Sequence, residues 1–228
     1  MAIIKNGILS EFRGSIGNIT GKIIRGRNIL SRKPAFRKVL NDPDTLKRLN
    51  RFKLSVKLGA ALGYLPEVKT VWKSLTPDGL NYFSYLVQSN YRQIADGLLT
   101  NTNVITPYGG FPFSVGNTAI TSTVLNIEVL PLKNMINFNL SVEKNIKLFS
   151  VVYLYGAKSE QAGEYAFMPL SHEAQVLKLE DPITFNRTLL KAEEMLFESF
   201  NNHKVYCALI TLDSNNTPVN YSSTLCLE

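Results

Sequence analysis

The spacing of apolar residues changes twice along the chain. Over residues 1–40, short β-branched pieces (Ile3-Ile4, Ile8-Leu9, Ile23-Ile24 and Ile29-Leu30) are separated by Gly7, Gly14, Gly17, Gly21 and Gly26. Glycine at that frequency costs a helix about 1 kcal/mol per site. It suits short strands joined by tight turns, or an extended arm laid against another backbone. The segment has too few large apolar residues to form a core alone. It is expected to need a partner surface, either its own domain or a neighbouring subunit.

Helical spacing begins at residue 42. Asp42 can cap, Pro43 fits the first helical position and Asp44 favours the positive end of the dipole, which predicts a helix over 42–62. Leu49, Phe52 and Val56 fall on one face, and Leu54 and Leu58 fall nearly opposite beside Lys47 and Arg51. A helix apolar on two sides is usually sandwiched between elements or between subunits. Gly63 and Pro66 end it. Val68, Val71, Trp72 and Leu75 predict a second helix over about 67–75. Thr76-Pro77 then restarts one that runs through Leu80, Phe83, Val87 and Ile94 to Gly97. Residues 100–123 are rich in Thr, Asn, Gly and Pro and read as a loop or linker, with room for short strands.

From residue 124 the period is two. Leu125, Ile127 and Val129 alternate with Asn126 and Glu128. Ile136, Phe138, Leu140 and Val142 alternate with Asn137, Asn139 and Ser141. Residues 147–155 form a near-continuous apolar strand, and further strands are predicted at 164–168, 175–179, 183–190, 204–212 and 218–227, with a short helix over Ala192–Phe200. The chain is therefore expected to be α+β. It would comprise a Gly-rich β or extended arm (1–40), a small helical layer (41–99), a loop or linker (100–123) and a C-terminal antiparallel, immunoglobulin-like β-sandwich (124–228).

The 228 residues and 45% apolar content allow a real core, which excludes a disordered tail or a disulfide-stapled miniprotein. The net charge of +7 is unevenly placed. Residues 1–74 hold 16 Lys/Arg and four acids, and residues 75–228 hold 9 Lys/Arg and 14 Asp/Glu. The basic end seeks phosphate or an acidic protein surface, and the acidic end of a neighbouring copy can be that surface. No stretch approaches ~18 uninterrupted apolar residues, so neither a spanning helix nor a membrane partner is expected. Residues 1–10 do not form a signal segment. The Asn-x-Ser/Thr triplets at Asn18, Asn139, Asn186 and Asn220 then lack a secretory context. Cys207 and Cys226 read as reduced small hydrophobes in the last strands.

Candidate chemistry is sparse. The stretch Gly14 to Lys22 approaches a phosphate-binding loop, but that spacing requires glycine at 16 and Ser/Thr at 23, where Ile16 and Ile23 stand. Ser171-His172-Glu173 are sequence neighbours, whereas a triad converges from separate elements. His172 and His203 read as surface or loop residues, and Glu194 and Glu198 as a solvated helix face rather than a metal site. No cofactor or metal is expected. Aromatics do interleave with cations at Phe36-Arg37-Lys38, Arg51-Phe52-Lys53, Trp72-Lys73 and Tyr91-Arg92. That spacing could join phosphate contacts to stacking on nucleic acid.

Gly7-Ile-Leu, Gly14-Ser-Ile-Gly17-Asn-Ile-Thr-Gly21 and Arg25-Gly26-Arg27-Asn-Ile-Leu-Ser-Arg32-Lys-Pro34 resemble the arm of an uncharacterised family of Bacteroidota and phage proteins. Asn41-Asp42-Pro43-Asp44-Thr45 and Arg48-Leu-Asn-Arg51-Phe52-Lys53 are similar to that family's helix start and its basic stretch. Ile24-Arg25-Gly26 departs from its usual Trp-Lys-Gly-like step. The family has a β-rich, immunoglobulin-like C-terminal half and no assigned activity, and its phage association implies a virion or assembly role. The expectation is a non-enzymatic structural protein of a phage-like virion, capsid-associated or portal/tail-associated, assembled in the host cytoplasm. Arg25, Arg27, Arg32, Lys33, Arg37 and Lys38 would meet other virion proteins, copies of the chain in a homo-oligomer, or nucleic acid non-specifically. The alternative is a nucleic-acid-binding protein that uses the basic N-terminal half.

Overall fold

The computed structural model describes residues 2–4, 12–24, 27–33, 42–133, 138–159 and 163–227. The chain divides into two compact units, Met1–Thr45 and Leu46–Glu228.

In the first unit, β1 (Ala2–Ile4), β2 (Gly14–Ile16), β3 (Ile19–Ile24) and β4 (Arg27–Arg32) form an antiparallel sheet in the order β1-β4-β3-β2. Ile16 pairs with Ile19 across a two-residue turn, Gly17-Asn18, and Gly17 takes a φ of 52°. Glycine at the first position of a two-residue hairpin loop matches the twist of the flanking strands. The glycine-rich spacing therefore makes strands and tight turns. Among residues 12–24 and 27–33, Gly21 alone is buried, and the remainder are half-buried or exposed.

The second unit opens with the helix α1 (Pro43–Leu62), whose first residues belong to the unit before. It continues with α2 (Pro66–Ser74) and α3 (Tyr82–Tyr91). The Asp42 carboxylate accepts from the Thr45 N–H at 3.1 Å, so the predicted cap forms. The third helix differs from expectation. Its cap is Asn81, whose side chain accepts from the Phe83 N–H at 2.9 Å. The Thr76 hydroxyl instead donates back to the Trp72 carbonyl at 2.6 Å and closes α2, and Gly79 turns the chain at a φ of 80°.

The strands that follow are β5 (Val115–Ile120), β6 (Val124–Val129), β7 (Asn145–Ala157), β8 (Tyr165–Ser171), β9 (Gln175–Val176) and β10 (Ile183–Thr188). After the helix α4 (Lys191–Glu198) come β11 (Phe200–Leu212), β12 (Pro218–Tyr221) and β13 (Leu225–Leu227). They form two sheets in which every strand pair is antiparallel. One has the order β10-β6-β5. The other has the path β12-β11-β7-β8, with β13 also on β11 and β9 on β7.

The central pair β7 and β11 is buried on both faces. Leu148, Val152, Leu154, Cys207 and Leu209 share a cluster with Leu125, Ile127, Val129 and Phe185 of the smaller sheet. Phe149, Val151, Tyr153, Tyr206, Ala208 and Ile210 share another with Leu54 and Leu58 of α1, Trp72 of α2 and Leu86 of α3. This double cover is why residues 147–155 read as an unbroken apolar run. A strand with one wet face would alternate.

Two further segments depart from the sequence expectation. Ile136 and Asn137 of the predicted strand lie outside the described residues, and residues 140–142 form a turn. Asn139 accepts from the Ser141 N–H, and the Glu143 carboxylate takes the Asn139 N–H at 2.9 Å. These local bonds replace a strand ladder. Residues 100–113 of the predicted loop or linker pack into the core, with Val104, Ile105, Phe111 and Phe113 buried. A buried loop must have its backbone groups paired. Asn90 of α3 meets both backbone groups of Val104, the Trp72 indole donates to the Ile105 carbonyl at 2.9 Å, and the Thr224 hydroxyl accepts from the Ile105 N–H at 2.8 Å.

Candidate interaction surface

Three of the six cations expected to make contacts are described: Arg27, Arg32 and Lys33, all exposed. Arg25, Arg37 and Lys38 lie outside the described residues. Arg27 and Arg32 occupy the two ends of β4, about 17 Å apart at the usual rise per residue. Strand alternation also puts them on opposite faces. Arg32 pairs with Ile19, and Arg27 pairs with Ile24. The backbone N–H of Lys33 donates to the Asn18 carbonyl at 2.6 Å, which holds it beside the β2–β3 turn. The cations therefore do not converge on one site. They stand at separate points on the margins of the sheet.

One face carries Ile16, Ile19, Ile23 and Leu30 by register. Ile16 is 63% exposed and Ile19 45%. Phe12 lies across this face on Gly21, where any Cβ would collide with the Phe12 ring and carbonyl. Glycine is thus required there for close approach. On the other face the Ser15 and Thr20 hydroxyls share a hydrogen bond at 3.2 Å, and Lys22 and Arg27 are exposed. Ile24, 44% exposed, and Ile29 also lie on this second face, and Arg32 lies on the first, so each face mixes apolar side chains with cations, and Ile16, Ile19 and Ile24 are open to water.

α1 has the two-sided character expected from sequence. Leu54, Leu58 and Leu62 are buried toward the six-stranded sheet, whereas Leu49 and Phe52 are exposed.

His172, expected at the surface, is buried at 2% exposure. Its Nε2 shares a hydrogen bond of 3.0 Å with Oγ of Ser150, which lies 3.5 Å from Sγ of Cys207. The His172 Nδ1 has no hydrogen-bond partner among the described residues. Burial, with a smaller contribution from the positive charge of Arg187, lowers its pKa from 6.5 to about 4. Arg187 is held by the Ser171 carbonyl at 2.8 Å and by Glu193 at 2.9 Å. Sequence reasoning missed the Ser150–His172 pair because the two lie 22 residues apart and meet only through the β7–β8 pairing. A serine and a neutral histidine in contact are a nucleophile and base in outline. Both are sealed in the core, where no substrate carbonyl can approach them. His203 packs on Phe197 with ring centroids 4.9 Å apart, and its pKa is lowered by burial. Among the described residues no three His, Cys, Asp or Glu are grouped to hold a metal ion.

Cys207 is buried and Cys226 half-buried, and neither is in a disulfide. Cys226 sits opposite Tyr206, one place out of register with Cys207. No helix among the described residues is long and apolar enough to cross a membrane.

No family model matches the chain, and no curated protein matches it. Among solved structures, a β-glucosidase from Kluyveromyces marxianus is similar at 12% identity, over 62% of this chain and 16% of that one, with a TM-score of 0.24. A likeness at that level carries no argument about fold or activity.

Proposed function

We propose that the chain is a non-enzymatic structural subunit of a phage-like particle, capsid-associated or portal/tail-associated, that assembles through its basic N-terminal segment. Its partners would be other virion proteins or further copies of itself. The observation that carries this reading is the four-stranded N-terminal sheet, which has no buried apolar side chain among residues 12–24 and 27–33. A sheet gains independent stability from a hydrophobic face or from packing against another element. Covering Ile16 and Ile19 contributes about 25 cal/mol per Å² of apolar surface removed from water. Exposed Arg27, Arg32 and Lys33 at the sheet's margins favour an acidic partner surface. The resemblance of Gly14–Gly21 to a phage-associated arm supports a particle as the setting. In the second unit, two antiparallel sheets with a shared core support an immunoglobulin-like β-sandwich, with the helices as a layer on its larger sheet.

The second reading, nucleic-acid binding, is favoured by the exposed cations on both faces of the sheet. One experiment separates the two. The wild-type chain, an Ile16→Asp/Ile19→Asp variant and an Arg27→Glu/Arg32→Glu/Lys33→Glu variant are compared by sedimentation and by duplex DNA binding across a salt series. Assembly that persists at high salt and is lost in the isoleucine variant supports a structural subunit. Tight DNA binding by a monomer, falling steeply with salt and lost only in the charge variant, supports the second reading and refutes the first.

A further inference from the structure

A cavity of about 220 Å³ opens in the second unit, lined by Asn50, Lys53 and Leu54 of α1, Tyr153 of β7, and Glu164 and Tyr165 at the start of β8. A tight turn forms one more wall. Asp96 and Gly97 take positive φ values of 48° and 75°, the turn bridges Ala95 to Leu98, and Leu98 faces the cavity. Tyr153 and Tyr165 stand on neighbouring strands with ring centroids 6.2 Å apart.

The polar groups around this cavity keep hydrogen-bonding capacity that the chain does not use. Tyr153 is fully buried and Tyr165 half-buried, yet neither buried hydroxyl donates to an acceptor among the described residues. The Leu99 backbone N–H lies near the Tyr153 oxygen, which leaves the phenol's own proton without a partner. Burial raises the pKa of both phenols, so both hold that proton at neutral pH. A buried O–H with no acceptor destabilises a fold, and two beside one cavity point to a group that completes them. At the mouth, Nζ of Lys53 and Oε2 of Glu164 are 3.9 Å apart, beyond hydrogen-bond reach, and both side chains are exposed. Each can therefore bond a third group while the two charges cancel. The exposed Asn50 adds an amide that both donates and accepts.

We propose that this cavity binds one neutral, hydroxyl-rich ring, a monosaccharide unit, against Tyr153 and Tyr165. The volume sets the size, since it falls below the roughly 300–1,000 Å³ of pockets for drug-sized ligands. The charges set the class. An anion drawn by Lys53 meets Glu164, a cation drawn by Glu164 meets Lys53, and a zwitterion has to part the pair. A neutral polyol leaves the pair in place. Its hydroxyls accept from the two phenols and from Lys53 or Asn50, and donate to Glu164. Leu54, Leu98 and the tyrosine rings offer the C–H face of the ring an apolar wall. The lining residues all belong to the second unit, so the site is independent of the contact proposed for the N-terminal sheet.

The test is saturation-transfer difference NMR on the full chain, which reads the free ligand and works whether or not the protein assembles. D-Glucose, D-galactose, D-mannose and N-acetyl-D-glucosamine are titrated singly to about 50 mM, a range that reaches millimolar affinities, with acetate and glycine as charged controls. At least one sugar should give a saturable signal, and neither control should. Glu164→Ala, at an exposed position, should keep the wild-type melting temperature and weaken that sugar about threefold or more. Tyr165→Phe should weaken it about fivefold or more and leave the melting temperature equal or higher, because it removes an O–H that has no acceptor in the free protein. A purely structural hydroxyl would move these two readouts the other way. No saturable signal from any of the four sugars, binding of acetate or glycine as tight as that of a sugar, unchanged sugar affinity in either variant, or a lower melting temperature in Tyr165→Phe overturns the proposal.

Discussion

Acidification should destabilise the protein through His172, and the size of the effect follows from its burial. The ring is neutral in the fold, with a pKa lowered to about 4 by desolvation and, secondarily, by Arg187, against 6.5 in an unfolded chain. The unfolded state therefore binds the proton first. Stability is at its full value above pH 6.5, is lost progressively as pH falls toward 4, and loses nothing further from this group below that. A difference of about 2.5 pKa units corresponds to about 3 kcal/mol, of which about 2.5 kcal/mol has gone by pH 4.5. His172→Gln keeps a neutral polar partner for Ser150 and has no proton to gain. Urea unfolding of both proteins between pH 7.5 and 4.5 cancels the carboxylates they share. The gap between their unfolding free energies should shift in favour of the variant by about 2–3 kcal/mol over that range. Parallel curves, within about 0.5 kcal/mol, would show that the ring is hydrated or mobile, and the description of a sealed Ser150–His172 pair would fail.

Other perturbations test the packing that presents the proposed surfaces. Asn90→Leu strands the N–H and C=O of Val104 in the core. At about 1–3 kcal/mol per orphaned group it should lower unfolding free energy by about 2–5 kcal/mol in urea titration. Gly110→Ala drives a Cβ into the backbone of Ser222 and Ser223 and should lower the melting temperature by several degrees, read by calorimetry. A thiol reagent should modify one cysteine per native chain, Cys226, and two after unfolding. Cys207 is buried and its pKa is pushed up to about 12, chiefly by that burial.

Elements fixed by local chemistry were legible from sequence. Asp42-Pro43 announces the start of α1, and the strict alternation of Leu125, Ile127 and Val129 announces β6, because cap and pleat depend only on near neighbours. Phe138 to Val142 shows the same alternation but becomes a turn, since Asn139, Ser141 and Glu143 satisfy one another. Residues 100–113 have the composition of a linker. Their burial depends on Asn90, Trp72 and Thr224, which come from distant parts of the chain. The apolar run of β7 was visible, but its meaning, a strand covered on both sides, required knowing where the helices pack. For the candidate surface, the exposure of Arg27, Arg32 and Lys33 followed from charge alone. Their separation onto two faces followed only from the β3–β4 register. The second apolar stripe of α1 was legible, and Leu49 and Phe52 of that stripe are exposed.

Amide hydrogen exchange over β2, β3 and β4 of the full chain tests the claim of an N-terminal contact sheet most directly. Rates in a dilute monomer would be compared with rates in the assembled protein. Exposed strand bonds over an uncovered apolar face should open readily in the monomer, and exchange should slow about tenfold or more once that face is covered. Equal rates in both states, or full protection already in the monomer, would mean that this sheet grips no other molecule.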